Sequence, residues 1–302
     1  YLIYRWRVAQ LHREKDILEQ KVELRTEQLK QANEELQAMN EEINTQMNVI
    51  EKKNINITSS IQYAQIIQRA VFPSLEKLEA YFGQYFVLFR PKDIVSGDFY
   101  YAKLKGRNLF IAAADCTGHG VPGAFMSVLG ISQLNEIIAK GVYSQPNEIL
   151  NELRIRIKKS LHQKGIKGQT QDGLDIAFCT IDLEKTVIQY AGAHSPLYVI
   201  RKNETGFELI EFKADLMPIG VHPKDDKSFT NYEVQLQQGD TLYLFSDGYV
   251  SQTGGLNFET FKRKRFQEIL MKIQEYSLEE QKQILEQTLA DWQGNYDQVD
   301  DI

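Results

Sequence analysis

Cysteine is nearly absent. Cys116 and Cys179 are the only two, and neither lies in a Cys-x-x-Cys pair. That argues against a disulfide framework or a thiolate zinc site and suits a reducing cytoplasm. Proline is scarce, and neither proline nor glycine occurs before Pro73. Nothing in that stretch breaks a helix. No run approaches the about 20 apolar residues that span a bilayer. Positive charge is not in excess: 35 Lys and Arg face 41 Asp and Glu, a net charge of −6. A mildly acidic chain argues against a dedicated nucleic-acid binder. No internal repeat or low-complexity tract appears. The sequence offers 302 residues, 42% of them hydrophobic, enough for one large domain and an appendage.

The chain begins at Tyr1 rather than Met and reads as a piece of a longer protein. Its opening, Tyr-Leu-Ile-Tyr-Arg-Trp-Arg, places aromatics ahead of Arg5 and Arg7. This is the pattern of a membrane helix leaving the bilayer on the cytoplasmic side. Residues 1–7 are therefore expected to end a transmembrane helix. Membrane attachment would come through the missing N-terminal part, with the rest on the cytoplasmic side.

From Val8 the apolar period is seven. The a positions are Val8, Lys15, Val22, Leu29, Leu36, Ile43, Ile50, Ile57, Ala64 and Val71, all apolar but Lys15. The d positions are Leu11, Leu18, Arg25, Ala32, Met39, Gln46, Lys53, Ser60 and Ile67. So narrow a stripe suits a coiled-coil partner, and β-branched a residues favour a parallel dimer. The spacing predicts a signalling helix and linker over 8–72, with a rod roughly 95 Å long. Three successive polar d residues, Gln46, Lys53 and Ser60, weaken the seam. An alternative seam runs through Met47, Asn54, Ile61 and Gln68. Two poorly packed registers of similar energy are what a bistable element requires.

Pro73 ends the helix and opens a globular domain over 73–302. Strand-like runs cover Tyr85–Phe89, Asp98–Leu104, Leu109–Ala114, Leu174–Ile181, Val187–Ala191, Leu197–Arg201, Glu208–Phe212 and Thr241–Phe245. Helical patterns cover Gly123–Lys140, Pro146–Gln163, Phe258–Gln274 and Leu278–Trp292. Strands fall in neighbouring runs, which predicts antiparallel sheets with helices outside. Lys158–Asp172, with Gly165 and Gly168, and Lys224–Thr230 read as mobile loops.

Aspartates recur where apolar strands stop. Asp98 follows Ser96-Gly97, Asp115 ends Phe-Ile-Ala-Ala-Ala-Asp, Asp247 precedes Gly248, and Asp300 and Asp301 come last. A carboxylate at the end of a buried strand is costly unless solvated or paired. Neighbouring glycines let backbone approach a ligand. Convergent oxygen donors without His or Cys spacing suit hard cations such as Mg²⁺ or Mn²⁺.

The run Val95-Ser-Gly-Asp-Phe-Tyr, followed by Ala114-Asp-Cys-Thr-Gly-His-Gly-Val-Pro-Gly-Ala124, resembles two motifs of one family. It is the stage II sporulation protein E branch of the protein phosphatase 2C-like serine/threonine phosphatases. Ala191-Gly-Ala-His-Ser-Pro196, Pro218-Ile-Gly220, Gly239-Asp-Thr241, Ser246-Asp-Gly248 and Asp300-Asp-Ile302 are similar to its later motifs, in order. The resemblance implies a four-layer αββα sandwich, here preceded by the long parallel dimeric coiled-coil helix, with the C-terminal strand truncated. It implies two Mn²⁺ or Mg²⁺ ions held by Asp98, Asp115, Asp247 and Asp300, with Asp115 bridging and the carbonyl of Cys116 adding a ligand. Such ions activate water, so no nucleophilic side chain is needed. His119 reads either as the general acid for the leaving seryl oxygen or as a cap of its Gly-His-Gly turn. His194-Ser195 has no assigned role. Asp172 and Asp175 read as loop and edge residues, and Lys92 as a solvated lysine.

The function expected is a bacterial phosphoserine/phosphothreonine protein phosphatase. Its substrate would be a phosphorylated partner protein such as an anti-sigma factor antagonist, and a missing sensor would regulate it through the homodimeric coiled coil. A catalytically silent scaffold on the same fold is the alternative. A two-component kinase transmitter fits less well: His12 is the only histidine of the rod, and no nucleotide-binding Gly-rich lid follows.

Overall fold

The computed structural model describes residues 1–82, 84–165, 172–223 and 226–302. Gly168, Lys224 and Asp225, parts of the two expected mobile loops, lie outside these residues. The chain divides into two units, Tyr1–Ser60 and Ile61–Ile302.

The first unit is helix throughout, part of α1 (Leu2–Val71). Every side chain in it is exposed except that of Val8, which is half-buried. Its apolar residues, such as Val22, Leu29, Leu36, Ile43 and Ile50, are exposed. The helix ends two residues before Pro73, as the loss of a backbone donor requires. No helix among the described residues is long and apolar enough to cross a membrane.

The second unit begins with the last turns of α1 and the short α2 (Leu75–Phe82). Strands β1 (Phe99–Lys105), β2 (Asn108–Cys116), β3 (Leu174–Asp182), β4 (Val187–Ala193) and β7 (Tyr232–Gln235) form an antiparallel sheet in that spatial order. Strands β6 (Gly206–Phe212), β5 (Leu197–Asn203) and β8 (Thr241–Leu244) form a second. Helices α3 (Gly120–Lys140) and α4 (Pro146–Ser160) cover the outer face of the first sheet. Helices α6 (Arg263–Lys272) and α7 (Leu278–Gln293) cover the second. Between α5 (Gly248–Ser251) and α6 lies a small hairpin, β9 (Thr253–Gly254) and β10 (Glu259–Thr260).

Strand parity builds the layers. In β2, Phe110, Ala112 and Ala114 pack outward against α3, while Leu109 and Ile111 face the other sheet. In β3, Ile176 and Phe178 face out while Ala177 and Cys179 face in. Leu197 and Val199 of β5 meet them from the second sheet, and Tyr198 and Ile200 turn to α6 and α7. The alternation makes three apolar cores and four layers, the αββα sandwich expected.

Several local expectations are corrected. Tyr85–Phe89 forms no strand; it lines a cavity of about 690 Å³ between β1 and β8, and Arg90 just after it exchanges backbone hydrogen bonds with Ile302. The helix placed over Phe258–Gln274 starts only at Arg263, because Phe258 and Lys262 adopt positive φ in the hairpin and the turn after it. Lys158–Ser160 complete α4 rather than opening a loop. Ser228 and Phe229 are tied to Asn151, and Thr230 to Asp215. The edge strand Tyr232–Gln235 was not foreseen, since four half-exposed residues leave little periodicity.

The last turns of α1 hold the segment that leads into β1. Gln68 is buried; its amide donates to the Ser96 carbonyl at 2.6 Å and to Ser127 Oγ at 2.8 Å, and its oxygen accepts from Ser96 N–H. Gln65 donates to the Ile94 carbonyl at 2.5 Å. Gln68→Ala leaves the buried Ser96 N–H without its partner and the Ser96 carbonyl with the 3.4 Å contact from Ser127 Oγ, so it is expected to lower stability by about 1–3 kcal/mol. Urea unfolding followed by tryptophan fluorescence and circular dichroism checks this; an unchanged midpoint refutes the role.

Candidate active site

Register assembles the site. In the β2–β3 ladder Asp115 lies opposite Asp175. The β1–β2 pairing of Phe99 with Ala114, carried one residue further, sets Asp98 opposite Asp115. The β3–β4 pairing of Ile176 with Ala193, extended likewise, sets His194 beside Asp175. Four adjacent strands thus end in one row: Asp98, Asp115, Asp175, His194. By parity Asp115 and Asp175 belong to the face turned to the second sheet, whose strand β8 is followed by Ser246 and Asp247.

The electrostatics of this row are unfavourable for anions. Burial raises the Asp98 carboxyl well above the usual carboxylate range; a Ser246 hydrogen bond partly offsets this, while the charges of Asp301 and Asp300 add to it. Burial also raises Asp115, and the charges of Asp98, Asp247, Asp300 and Asp175 raise it further. Asp300 is raised by burial and by Asp247, against the opposing pull of Lys92. No arginine or lysine forms an ion pair with Asp98, Asp115, Asp247 or Asp300 among the described residues. The Oδ2 atom of Asp98 is buried with no hydrogen-bond partner.

Glycine and Asp301 make the approach tight. Asp301, 2% exposed, accepts from the Lys92 and Gly97 N–H groups, each at 2.7 Å. A Cβ on Gly97 would stand 2.7 Å from the Gly118 carbonyl and 3.1 Å from that of Cys116. The Cys116 carbonyl thus lies beside the turn that carries Asp98, while its thiol is buried and its pKa pushed up. Asp300 and Asp301, adjacent in sequence, divide two tasks: Asp300 joins the carboxylate cluster and Asp301 ties the loops.

Two imidazoles border the cluster. His119 is the residue before α3 but makes no side-chain cap; its Nδ1 lies 2.7 Å from Asp93 Oδ2. The turn-capping reading of His119 is therefore not what the structure has. His194 Nδ1 lies 2.9 Å from Asp175 Oδ1. Asp175 is no edge residue: β3 has neighbours on both sides. Sequence reasoning missed Asp93 and the Asp175–His194 pair. Counting two-residue parity back from Ala177 would have placed Asp175 on the inner face. Asp172 offers its carbonyl to Gln163, and Lys92 offers its backbone N–H to Asp301.

The family model described as "Stage II sporulation protein E (SpoIIE)" matches residues 105–302. The chain belongs to that family. A solved relative, the SiaA-PP2C domain of Pseudomonas aeruginosa, is 32% identical, with a TM-score of 0.72 over 82% of this chain and 95% of that one. The PP2C phosphatase domain of SpoIIE from Bacillus subtilis, solved with a fragment of its regulatory domain, shares the fold at 21% identity. Its TM-score is 0.53 over 71% of this chain and 58% of that one. Phosphoserine phosphatase RsbU of Bacillus subtilis is 24% identical over 160 residues, 52% of this chain and 44% of RsbU. The chain thus matches less than half the length of that relative.

The donor set fits a divalent cation by its chemistry: hard oxygens only, one of them buried and unpartnered, and none ion-paired to a lysine or arginine among the described residues. Among the described residues no three His, Cys, Asp or Glu side chains converge closely enough to form a ready-made shell. A cation would therefore have to draw the carboxylates together. The linkage has a definite sign. Carboxyls raised in the fold bind protons more tightly than the unfolded chain, so the metal-free protein loses stability as pH rises above about 4. Added Mn²⁺ or Mg²⁺ is expected to raise the melting temperature, more at pH 8 than at pH 5. Asp98→Asn is expected to raise the metal-free melting temperature at pH 8 and to shrink the cation response. Differential scanning calorimetry checks both; a pH-independent cation effect goes against the cluster.

Proposed function

We propose that this chain is a Mg²⁺- or Mn²⁺-dependent phosphoserine/phosphothreonine protein phosphatase. The observation that carries the reading is the buried row of carboxylates, with no ion pair to a lysine or arginine among the described residues, in a fold whose relatives are named as phosphatases. Asp98, Asp115, Asp247 and Asp300, with the Cys116 carbonyl, would hold the cations, Asp115 between them. Bound there, such ions activate water and stabilise charge on a transferring phosphoryl group.

The chain's own residues do the rest. Gly97 and Gly118 bring backbone close to the carboxylates. Asp301 fixes the two ends of the segment 92–97. His119 and His194 each present an imidazole oriented by a carboxylate, and a departing seryl oxygen needs one such proton donor. A phosphorylated protein, with an anti-sigma factor antagonist as the leading candidate, would be the substrate.

Residues 8–72 would form the signalling helix and linker, pairing in parallel with a second copy, and 73–302 the catalytic domain. Residues 1–7 would continue a membrane helix. The exposed a and d residues of α1 support pairing. The silent-scaffold alternative gains nothing from the site, because buried like charges without a ligand only destabilise a fold.

Phosphate release from a phosphoserine peptide should require divalent cation, and Asp115→Asn should remove most of it, a loss of at least about 100-fold. Near wild-type turnover in that variant sinks the assignment. Replacing Gln46, Lys53 and Ser60 with Leu should strengthen one seam. The other was expected to gain from Leu at Asn54 and Gln68, but Gln68 is buried against Ser96 and Ser127 and leaves that seam, so Asn54→Leu alone tests it. The two sets are expected to move the rate in opposite directions while light scattering still reports a dimer. Equal or absent rate changes reduce the segment to a tether, and a monomer mass removes the coiled coil.

A further inference from the structure

Resting on the phosphatase reading, we propose that His194, oriented by Asp175, is the residue that protonates the leaving seryl oxygen, and that His119 is not.

The first ground is placement. His194 follows β4 and falls in the same in-register row as Asp98, Asp115 and Asp175. Adjacent strands lie about 4.8 Å apart, so its backbone is about 10 Å from that of Asp115. A side chain reaching back along the row covers much of that distance, leaving room for a phosphoester between. Its partner belongs electrostatically to the cluster: the charge of Asp175 is felt at Asp115, and that of Asp247 at Asp175.

The second ground is how firmly His194 is held. Its φ is 56°, a left-handed conformation that is rare for a residue with a side chain. Three features impose it. His194 N–H donates to the Asp215 carbonyl at 2.9 Å, and Asp215 N–H donates to that of Gly192 at 3.0 Å. Tyr190 Oη donates to the Ser195 carbonyl at 2.6 Å. At Gly192 an added Cβ would collide with Tyr190 Oη and the Ser195 carbonyl. Strain maintained by this much surrounding structure points to function.

The third ground is the imidazole itself. A carboxylate can only accept, so Nδ1 carries the hydrogen directed at Asp175 Oδ1. The other edge, Nε2, has no partner among the described residues and is free to act. The step balances as follows. The oxygen of water bonds to phosphorus, the phosphorus–seryl oxygen bond breaks, and its electron pair stays on the seryl oxygen. That oxygen takes the Nε2 proton of the ring protonated on both nitrogens, which leaves the Nδ1–H tautomer held by Asp175. The proton lost by water goes to solvent, and solvent reprotonates the imidazole.

His119 is the poorer candidate. It sits at the amino end of the 21-residue α3, whose dipole opposes an imidazolium. Its pair with Asp93 is also the more exposed, at 51% and 47% against 37% and 36% for His194 and Asp175. Solvent screens such a pair.

The test uses two substrates on the full chain with Mn²⁺. A phosphoserine peptide needs its leaving oxygen protonated, whereas p-nitrophenyl phosphate releases a stable anion. His194→Gln should lower kcat on the peptide by about 100-fold or more, and on p-nitrophenyl phosphate by no more than about 3-fold. Asp175→Asn should give the same selectivity at about 10-fold. In metal-free protein, imidazole ¹⁵N–¹H spectra should show His194 as the Nδ1–H tautomer, a state lost in Asp175→Asn. His119→Gln should leave the ratio of the two rates unchanged. The assignment is overturned if His194→Gln slows both substrates alike or neither, or if the selective loss appears in His119→Gln. A wild-type chain that hydrolyses neither substrate with any divalent cation overturns the phosphatase reading itself, and this assignment with it.

Discussion

Everything in the second unit turns on like charges brought together with no ion-paired counter-charge among the described residues. Asp98 and Asp115 end neighbouring strands and face the same side; burial raises both carboxyls, and the charge of Asp98 raises Asp115 further. Left alone, such an arrangement opposes folding. A sandwich tolerates it only because the cost is concentrated at strand ends, where no apolar core is interrupted. The three cores below carry the stability: Phe110 and Phe178 under α3 and α4, Leu109 and Cys179 between the sheets, Tyr243 and Leu285 under α7. The site is thus a local excess of anionic charge held in place by a framework indifferent to it.

That framework explains the glycines and Asp301. A carboxylate cluster of this kind needs backbone carbonyls and turns packed to within contact distance. Gly97 and Gly123 permit it: a Cβ on Gly123 would stand 2.1 Å from the Gly118 carbonyl. Asp301 then ties the ends of the segment with two short hydrogen bonds to backbone. The carboxylate of Asp301 satisfies buried donors, whereas that of Asp98 has one oxygen with none.

Much of this was legible in the sequence, and the reason is physical. Apolar alternation in β1 to β5 has a period of two, so strands and their buried faces can be read directly, and aspartates at their ends stand out. The cation-binding candidates were found this way, and the motifs around them indicated the family. What stayed hidden depends on pairings across long separations. Asp93 lies 26 residues from His119, and nothing in Pro-Lys-Asp-Ile announces an imidazole partner. Asp175 lies within the strand read over Leu174–Ile181 but reads as an edge residue, because the neighbours that β3 has on both sides are pairings the sequence does not display. Tyr85–Phe89 has the composition of a strand, but composition does not supply a ladder partner, and the segment lines a cavity instead.

Were α1 to carry the proposed signal, its last turns would offer a route to the candidate site without a large motion. Gln65 and Gln68 lie three residues apart, almost one helical turn, so both face the same segment. They grip the carbonyls of Ile94 and Ser96, and Asp98 is only two residues further on, its N–H bonded to Ser96 Oγ. Each such hydrogen bond contributes about 1 kcal/mol net, which is the scale on which regulatory couplings operate. A small rotation of the helix about its axis would lengthen both grips together, because they share a face. It would also disturb Asp93, next to Ile94, and so the orientation of His119. The same few residues therefore connect the helix, the candidate cation ligand and one of the two imidazoles, and loosening them need not disturb any of the three apolar cores.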